Sequence, residues 1–592
     1  MRYRMPLIVF CVLVAGRLFA QQAPRFALQL EKDVVSWNWQ GLLQWQTATW
    51  HRGGLEVFNR FTSNLFRESR DDRKWKDENQ LQLQWGTPLS KRLRLGARLE
   101  SRVFSDQNSF VQFSKHVLAA EADISLSRNI HLLPASGLAV EETYDLRDQG
   151  WYGRMGLKIN RLDMGGYLNY TDLNSVVRAF PGRRNQEHNF FTGWSTHFSE
   201  QASDSIRLGY QFAENRYYLA QADPLSPGVN ALEQVVIHAR ILFNQLNYQV
   251  TPQSRLTVQT QFKDRDIDQT NPFLENRRQE LVLENQIHYQ FPLAGLKSHL
   301  GVLFSQTTRD NPNLQTDIDA LQTALTLGLS HRWQEGHQWW TRFSYTKYEF
   351  NTPDTVVNHD DRDEQRFIID TGYSHRFSPF FTLTLKGRVY LYHQIFIHFT
   401  RSANNSWNRI FQLGASFQHR PGDGFVHTSQ IKILANYTVF DFDELFPQAR
   451  SFLFRQLIYS DSMAIRLSPT LSLNTIYQLE KQDNGTFFKS IFAQQVNKEL
   501  TSHYLSLMVQ KRRVFGFVVS TGLAYFIRDE WNLIPQKRQV RRFRSLTPRV
   551  TVTYPLGKRV LFYASYAPTR TSNFGREVRH FTSGSLRMTY FF

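Results

Sequence analysis

LQLQWGTPLSKRLRLGARLE, residues 81–100, reads as a strand, a turn and a second strand. In the first arm Leu81, Leu83 and Trp85 alternate with Gln82 and Gln84. In the second, Leu93, Leu95, Ala97 and Leu99 alternate with Arg94, Arg98 and Glu100, and Pro88-Leu89-Ser90 separates the two. A period of two puts successive side chains on opposite faces of an extended chain, which no helix does. One face of this hairpin suits an apolar medium and the other suits water.

The pattern spreads along the chain. Leu256, Val258, Thr260 and Phe262 alternate with Thr257, Gln259, Gln261 and Lys263; Leu383, Leu385, Gly387, Val389 and Leu391 alternate with Thr384, Lys386, Arg388 and Tyr390. The connections alternate too. Short ones fall at 88–90, 251–254, 334–336, 378–379, 421–424, 468–470 and 555–557. Long, charged ones are expected at 67–77, 176–187, 215–232, 264–278, 309–319, 351–363, 481–499 and 528–540. Transmembrane barrels join their strands by short periplasmic turns and longer outer loops. The expectation is an all-β chain forming one large antiparallel transmembrane β-barrel of roughly 26–28 strands, an even total being usual. Phe26 to Trp39 supplies the strand that makes the total even.

Composition agrees. The 592 residues are 14% aromatic with 7 methionines, and no linker divides them into smaller domains. Mean hydropathy is −0.45, and past the first residues no apolar run is long enough for a membrane helix. Residues 1–20 read as a cleaved signal peptide: Arg2 and Arg4, an apolar run from Leu7 to Ala15, then Leu18-Phe19-Ala20 before Gln21. The barrel would then occupy 21–592. Cys11, the one cysteine, leaves with the leader, which excludes disulfides, thiolate metal sites and cysteine nucleophiles from the mature chain. The net charge of +18 falls to +15 with the loss of Arg2, Arg4 and Arg17. Nucleic acid is not an expected partner of an exported chain; outer-membrane lipids, lipopolysaccharide and anionic solutes are.

The carboxyl end carries a resemblance. Leu586, Met588, Tyr590 and Phe592 share one face of a last strand that ends on an aromatic residue. This resembles the terminal signal of proteins inserted by the bacterial barrel-assembly machinery. The resemblance implies a Gram-negative outer-membrane barrel and that machinery as a partner.

Candidate sites are few. Arg92, Arg94, Arg98 and Arg102 form a basic ladder expected to face the lumen, where it would attract anions or pair with neighbouring acids such as Glu100. Lys537, Arg538, Arg541, Arg542 and Arg544 could bind outer-leaflet phosphates or stand solvated. His359, Asp360, Asp361, Asp363 and Glu364 offer oxygen ligands for Ca²⁺, but without the spacing of a calcium loop. His393 and His398 fall on opposite faces of an extended chain and cannot share a metal. Asp441, Asp443 and Glu444 come without a nucleophile motif. Trp37, Trp39, Trp45, Trp50, Trp85, Trp339 and Trp340 are expected in interface girdles. No catalytic, cofactor or metal site is assigned, and the chain is not expected to be an enzyme.

The function expected is passage of solutes, or of a partner chain, across the outer membrane. One alternative is a scaffold that encloses a separate protein in its lumen. Barrels that translocate lipopolysaccharide and sheaths around decahaem cytochromes are of this size, but the Cys features of both are missing here. A rim-borne enzyme is the other alternative.

Overall fold

A computed structural model describes residues 25–591 except 48–52, 68–72, 108, 110, 144–145, 224–225, 314–315, 354–358, 446–450, 558 and 575–576. The expected leader, Trp50 and Phe592 lie outside the described residues. Twenty-eight strands, β1 (Arg25–Lys32) to β28 (Glu577–Phe591), pair antiparallel with their chain neighbours. β28 pairs back onto β1, so the wall is closed. Phe26 to Trp39, expected as one strand, spans β1 and the first part of β2 (Ser36–Gln46), with the turn at Asp33–Val35.

The alternation seen in sequence becomes continuous rows around the wall. Leu83 on β4 (Arg73–Pro88), Leu99 on β5 (Leu93–Asp106), Leu118 on β6 (Val111–Ser125), Leu138 on β7 (Ile130–Thr143) and Trp151 on β8 (Leu146–Asp163) stand side by side. Leu118, Leu138 and Trp151 are 56%, 65% and 50% exposed. So much open leucine and tryptophan on one face of a closed wall requires an apolar surrounding. The next row, on the other face, is Arg98, Ala119, Gly137, Tyr152 and Arg178, the last on β9 (Tyr167–Phe180). In a barrel set in lipid this polar face looks into the bore.

All the connections expected to be short lie at one end of the barrel, and those expected to be long lie at the other. Their lengths differ from expectation. Residues 176–187 belong to β9 and β10 (Arg183–His197), and 215–232 to β11 (Ala202–Asp223) and β12 (Ser226–Thr251). Residues 264–278 belong to β13 (Ser254–Asn271) and β14 (Leu274–Leu293). Residues 481–499 lie mostly in β23 (Leu471–Phe488) and β24 (Ala493–Val514), and 528–540 partly in β25 (Phe517–Asn532) and β26 (Arg538–Leu556). The supposed loops are strands that run on past the apolar band, polar on both faces because water meets both. Among the described residues the longer connections at that end fall within 311–317, 352–361, 397–405 and 441–451, and one holds a 3₁₀ turn, Phe399–Asn404.

At the opposite end most described turns carry or adjoin an exposed large apolar residue. Leu89, Leu126, Met164, Phe198, Leu293, Trp333, Phe380, Leu467, Phe515 and Leu556 are all more than 45% exposed. Such a ring suits the boundary between hydrocarbon and water. At the seam Leu586, Met588 and Tyr590, expected to carry the terminal signal, face Leu30, Leu28 and Phe26.

One part of the wall that packs tightly is near β6 to β9. Val117, Ala119, Ala139, Tyr152 and Phe180 form a buried cluster there. Strands β6 and β7 approach so closely that a Cβ on Gly137 would sit 2.0 Å from the Leu118 carbonyl oxygen. Only glycine fits.

Candidate functional site

The inner face gathers polar chemistry, and its two sides differ. On β4 to β10 most inward arginines meet carboxylates, although Arg154 bonds Asn174 at 2.7 Å and Lys115 and Lys158 make no ion pair among the described residues. Arg98 is bound to Glu100, and Arg102 to Glu78 at 3.0 Å. Arg94 stands opposite Asp123, while Arg92 precedes β5 and belongs to the turn, not to the strand as expected. Further along, Glu141 receives Arg178 at 3.1 Å and Arg183 at 2.9 Å, and Arg183 also reaches Asp148 at 2.5 Å. Arg183 and Arg178 side chains are only 4% and 8% exposed, so these pairs are fixed parts of the wall. The ladder legible in the sequence is therefore largely neutralised by carboxylates on the same and neighbouring strands.

The other side is unmatched. Two inward rows run across β14, β15 (Leu296–Asp310), β16 (Ile318–Gln334), β17 (His337–Asn351), β18 (Arg362–Ser378) and β19 (Phe381–Phe396). The first row is Pro292, Lys297, Ser330, Trp340, Gly372 and Lys386; the second is Gln290, His299, Gly328, Arg342, Asp370 and Arg388. Asp370 is held by Arg388. Lys297, Arg342 and Lys386 are exposed and make no ion pair among the described residues. Trp339 faces outward, as expected of a girdle; Trp340, read with it from the sequence, faces the bore.

At the rim the longer connections pack on one another. His393 Nε2 bonds Asp441 Oδ2 at 3.0 Å, and its ring stacks on Trp407 with centroids 4.1 Å apart. His398 stacks on His359 instead, at 3.9 Å. Asp361 accepts bonds from Thr352, Asp360 pairs with Arg401, and Glu364 pairs with Arg362 at 2.8 Å, so these carboxylates diverge. Asp443 receives Ser451 Oγ at 2.5 Å and Lys489 Nζ at 2.8 Å. Burial alone would raise the Asp443 carboxyl, but its bonds to Lys489 and Ser451 outweigh burial and hold it below the ordinary aspartate value. In the basic run, Arg542 lies 3.5 Å from Asp529 and Arg541 lies 3.9 Å from Glu530, while Lys537 sits over the Trp531 ring.

No protein-family description matches the chain, and no curated protein matches it. Among solved structures it is similar to the FrpB iron transporter of Neisseria meningitidis (F5-1 variant), with 8% identity over 79% of this chain and 83% of that one and a TM-score of 0.39. It is similar to the copper transporter OprC, with 8% identity over 97% and 81% of the two chains and a TM-score of 0.39. The alcaligin outer-membrane receptor FauA of Bordetella pertussis matches with 11% identity over 83% and 85%, with a TM-score of 0.35.

Proposed function

We propose that this chain is an outer-membrane barrel of Gram-negative type whose bore passes solutes, with a preference for anions. The observation that carries the proposal is the closed wall of 28 strands with apolar rows outside and polar rows inside. Strands about 4.8 Å apart and tilted by about 40° give 28 of them a diameter of about 55 Å if the ring is round. Side chains fill a barrel of about 8 strands, whereas 16 to 18 already leave a water channel. Among the described residues every helix or strand except the Phe399–Asn404 turn belongs to the wall, so none of them forms a plug. The anion preference follows from the unmatched Lys297, Arg342 and Lys386, because charged rings lining a pore select the opposite charge.

The purified protein in a planar bilayer should give large unitary currents, with a reversal potential in a salt gradient shifted toward the anion. A pure protein that neither conducts nor retains a second protein would overturn the proposal. A barrel that stays silent until a co-purified protein is stripped from it would instead support the scaffold reading, in which the bore is filled in the cell.

A further inference from the structure

We propose that the inner face of β14 to β17 carries a subsite for a solute that joins a carboxylate or phosphate to a ring with an apolar face, as a sugar acid or sugar phosphate does. The proposal deepens the passage reading above by naming the class of solute.

Three independent features meet there. The first is room. Gly328 stands between His299 and Arg342 in its row, and a Cβ built on it would meet only His299, at 3.8 Å. The strands around it line a hollow of about 800 Å³, a usual size for a small-molecule site. The second feature is uncompensated charge. Lys297 and Arg342 flank the bare glycine floor, and Lys386 follows beyond Gly372. The single carboxylate in the two rows, Asp370, stands opposite Arg342 in register but is bound by Arg388, whose Nη2 donates to it at 3.2 Å. On β4 to β10 most inward arginines have carboxylate partners within the wall. Here an anion arriving through the bore meets cations with no bound carboxylate. Guanidinium and carboxylate or phosphate pair through parallel N–H donors, a geometry that Arg342 supplies and Lys297 reinforces.

The third feature is an aromatic surface on the wrong side for a membrane girdle. The Trp340 indole leans over Gly372, where a Cβ would come within 2.6 Å of its Nε1 and Cε2. The glycine lets the ring rest against the wall instead of standing into the bore. A plate so placed, two strand positions from Arg342, can receive the apolar face of a ring whose anionic group the arginine holds. His299 closes the opposite side. Its Nε2 lies 3.3 Å from His288 Nδ1, and the two rings stack with centroids 5.4 Å apart.

The test is equilibrium dialysis of the intact detergent-solubilised barrel against labelled glucuronate, glucose 1-phosphate and uncharged glucose, paired with block of bilayer current by the same three probes. Wild type should bind the two anions and not glucose, and the stronger of the two identifies the preferred group. Arg342→Gln with Lys297→Gln should weaken anion binding about ten-fold or more, the loss expected for removing charged hydrogen bonds. Trp340→Ala should weaken it less, and Gly328→Leu, which fills the floor, should abolish it. All variants should keep the heat-dependent gel shift of a folded barrel. Equal binding of glucose, or anion binding unchanged in every variant, overturns the subsite. Binding without conductance would leave the subsite standing and sink the passage reading; conductance without binding would do the reverse.

Discussion

The Asp443–Lys489 contact shows how individual residues order the rim. A carboxyl held below its unfolded value adds stability above that value and loses it as pH falls through the folded one. The contact should therefore hold through the neutral range and weaken only below about pH 4. Hydrogen exchange at residues 441–445 and 489–492, corrected for intrinsic rate, should stay flat from neutral pH to that point and rise beneath it. Asp443→Asn should remove the dependence and raise opening at neutral pH by up to about five-fold, as befits a pair worth at most about 1 kcal/mol. Gly137 makes a harsher case. Gly137→Ala drives a methyl into the Leu118 carbonyl, and the forced backbone shift should cost about 1–3 kcal/mol, read as a lower urea midpoint. Such constraints were only partly legible in the sequence. The alternation of Arg94, Arg98 and Arg102 marked their face. Their partners Glu78 and Asp123 emerge only from strand register, which the period of two does not supply. Trp340 was misread beside Trp339 because neighbours on a strand look alike in composition while facing opposite media.

At the level of elements, the alternation of connections placed each one at its proper end of the barrel, because turn chemistry is local and short. Strand length was not legible. Where β11, β12, β23 and β24 leave the apolar band both faces become polar, the period of two fades, and extended chain reads as loop. Orientation can be checked by cysteines at 423 and 490, which lie in turns at opposite ends. With intact cells an impermeant thiol reagent should label 490 and spare 423; the opposite pattern inverts the barrel. The last strand offers a second check. Leu586, Met588 and Tyr590 meet β1, so deleting the terminal Phe592 should slow assembly while export across the inner membrane continues. A normal yield of heat-modifiable barrel would remove the aromatic end from that role.

For the whole molecule, the consequence lies in how unevenly the ring is joined. β1 is 8 residues long, whereas β11 and β12 have 22 and 26. The first strand is thus a clasp on a stout hoop, and the ladder that holds it to β28 is far shorter than the one between β11 and β12. Under heat or lateral tension the hoop should part at the clasp before it gives elsewhere, opening a slit toward the surrounding lipid. Riveting it, with Leu28→Cys cross-linked to Met588→Cys across the join, should raise the temperature at which the circular form is lost. The same rivet between Leu246 and Val258, on the long β12–β13 ladder, should leave that temperature almost unmoved. Equal gains from both would show that the hoop has no weakest place.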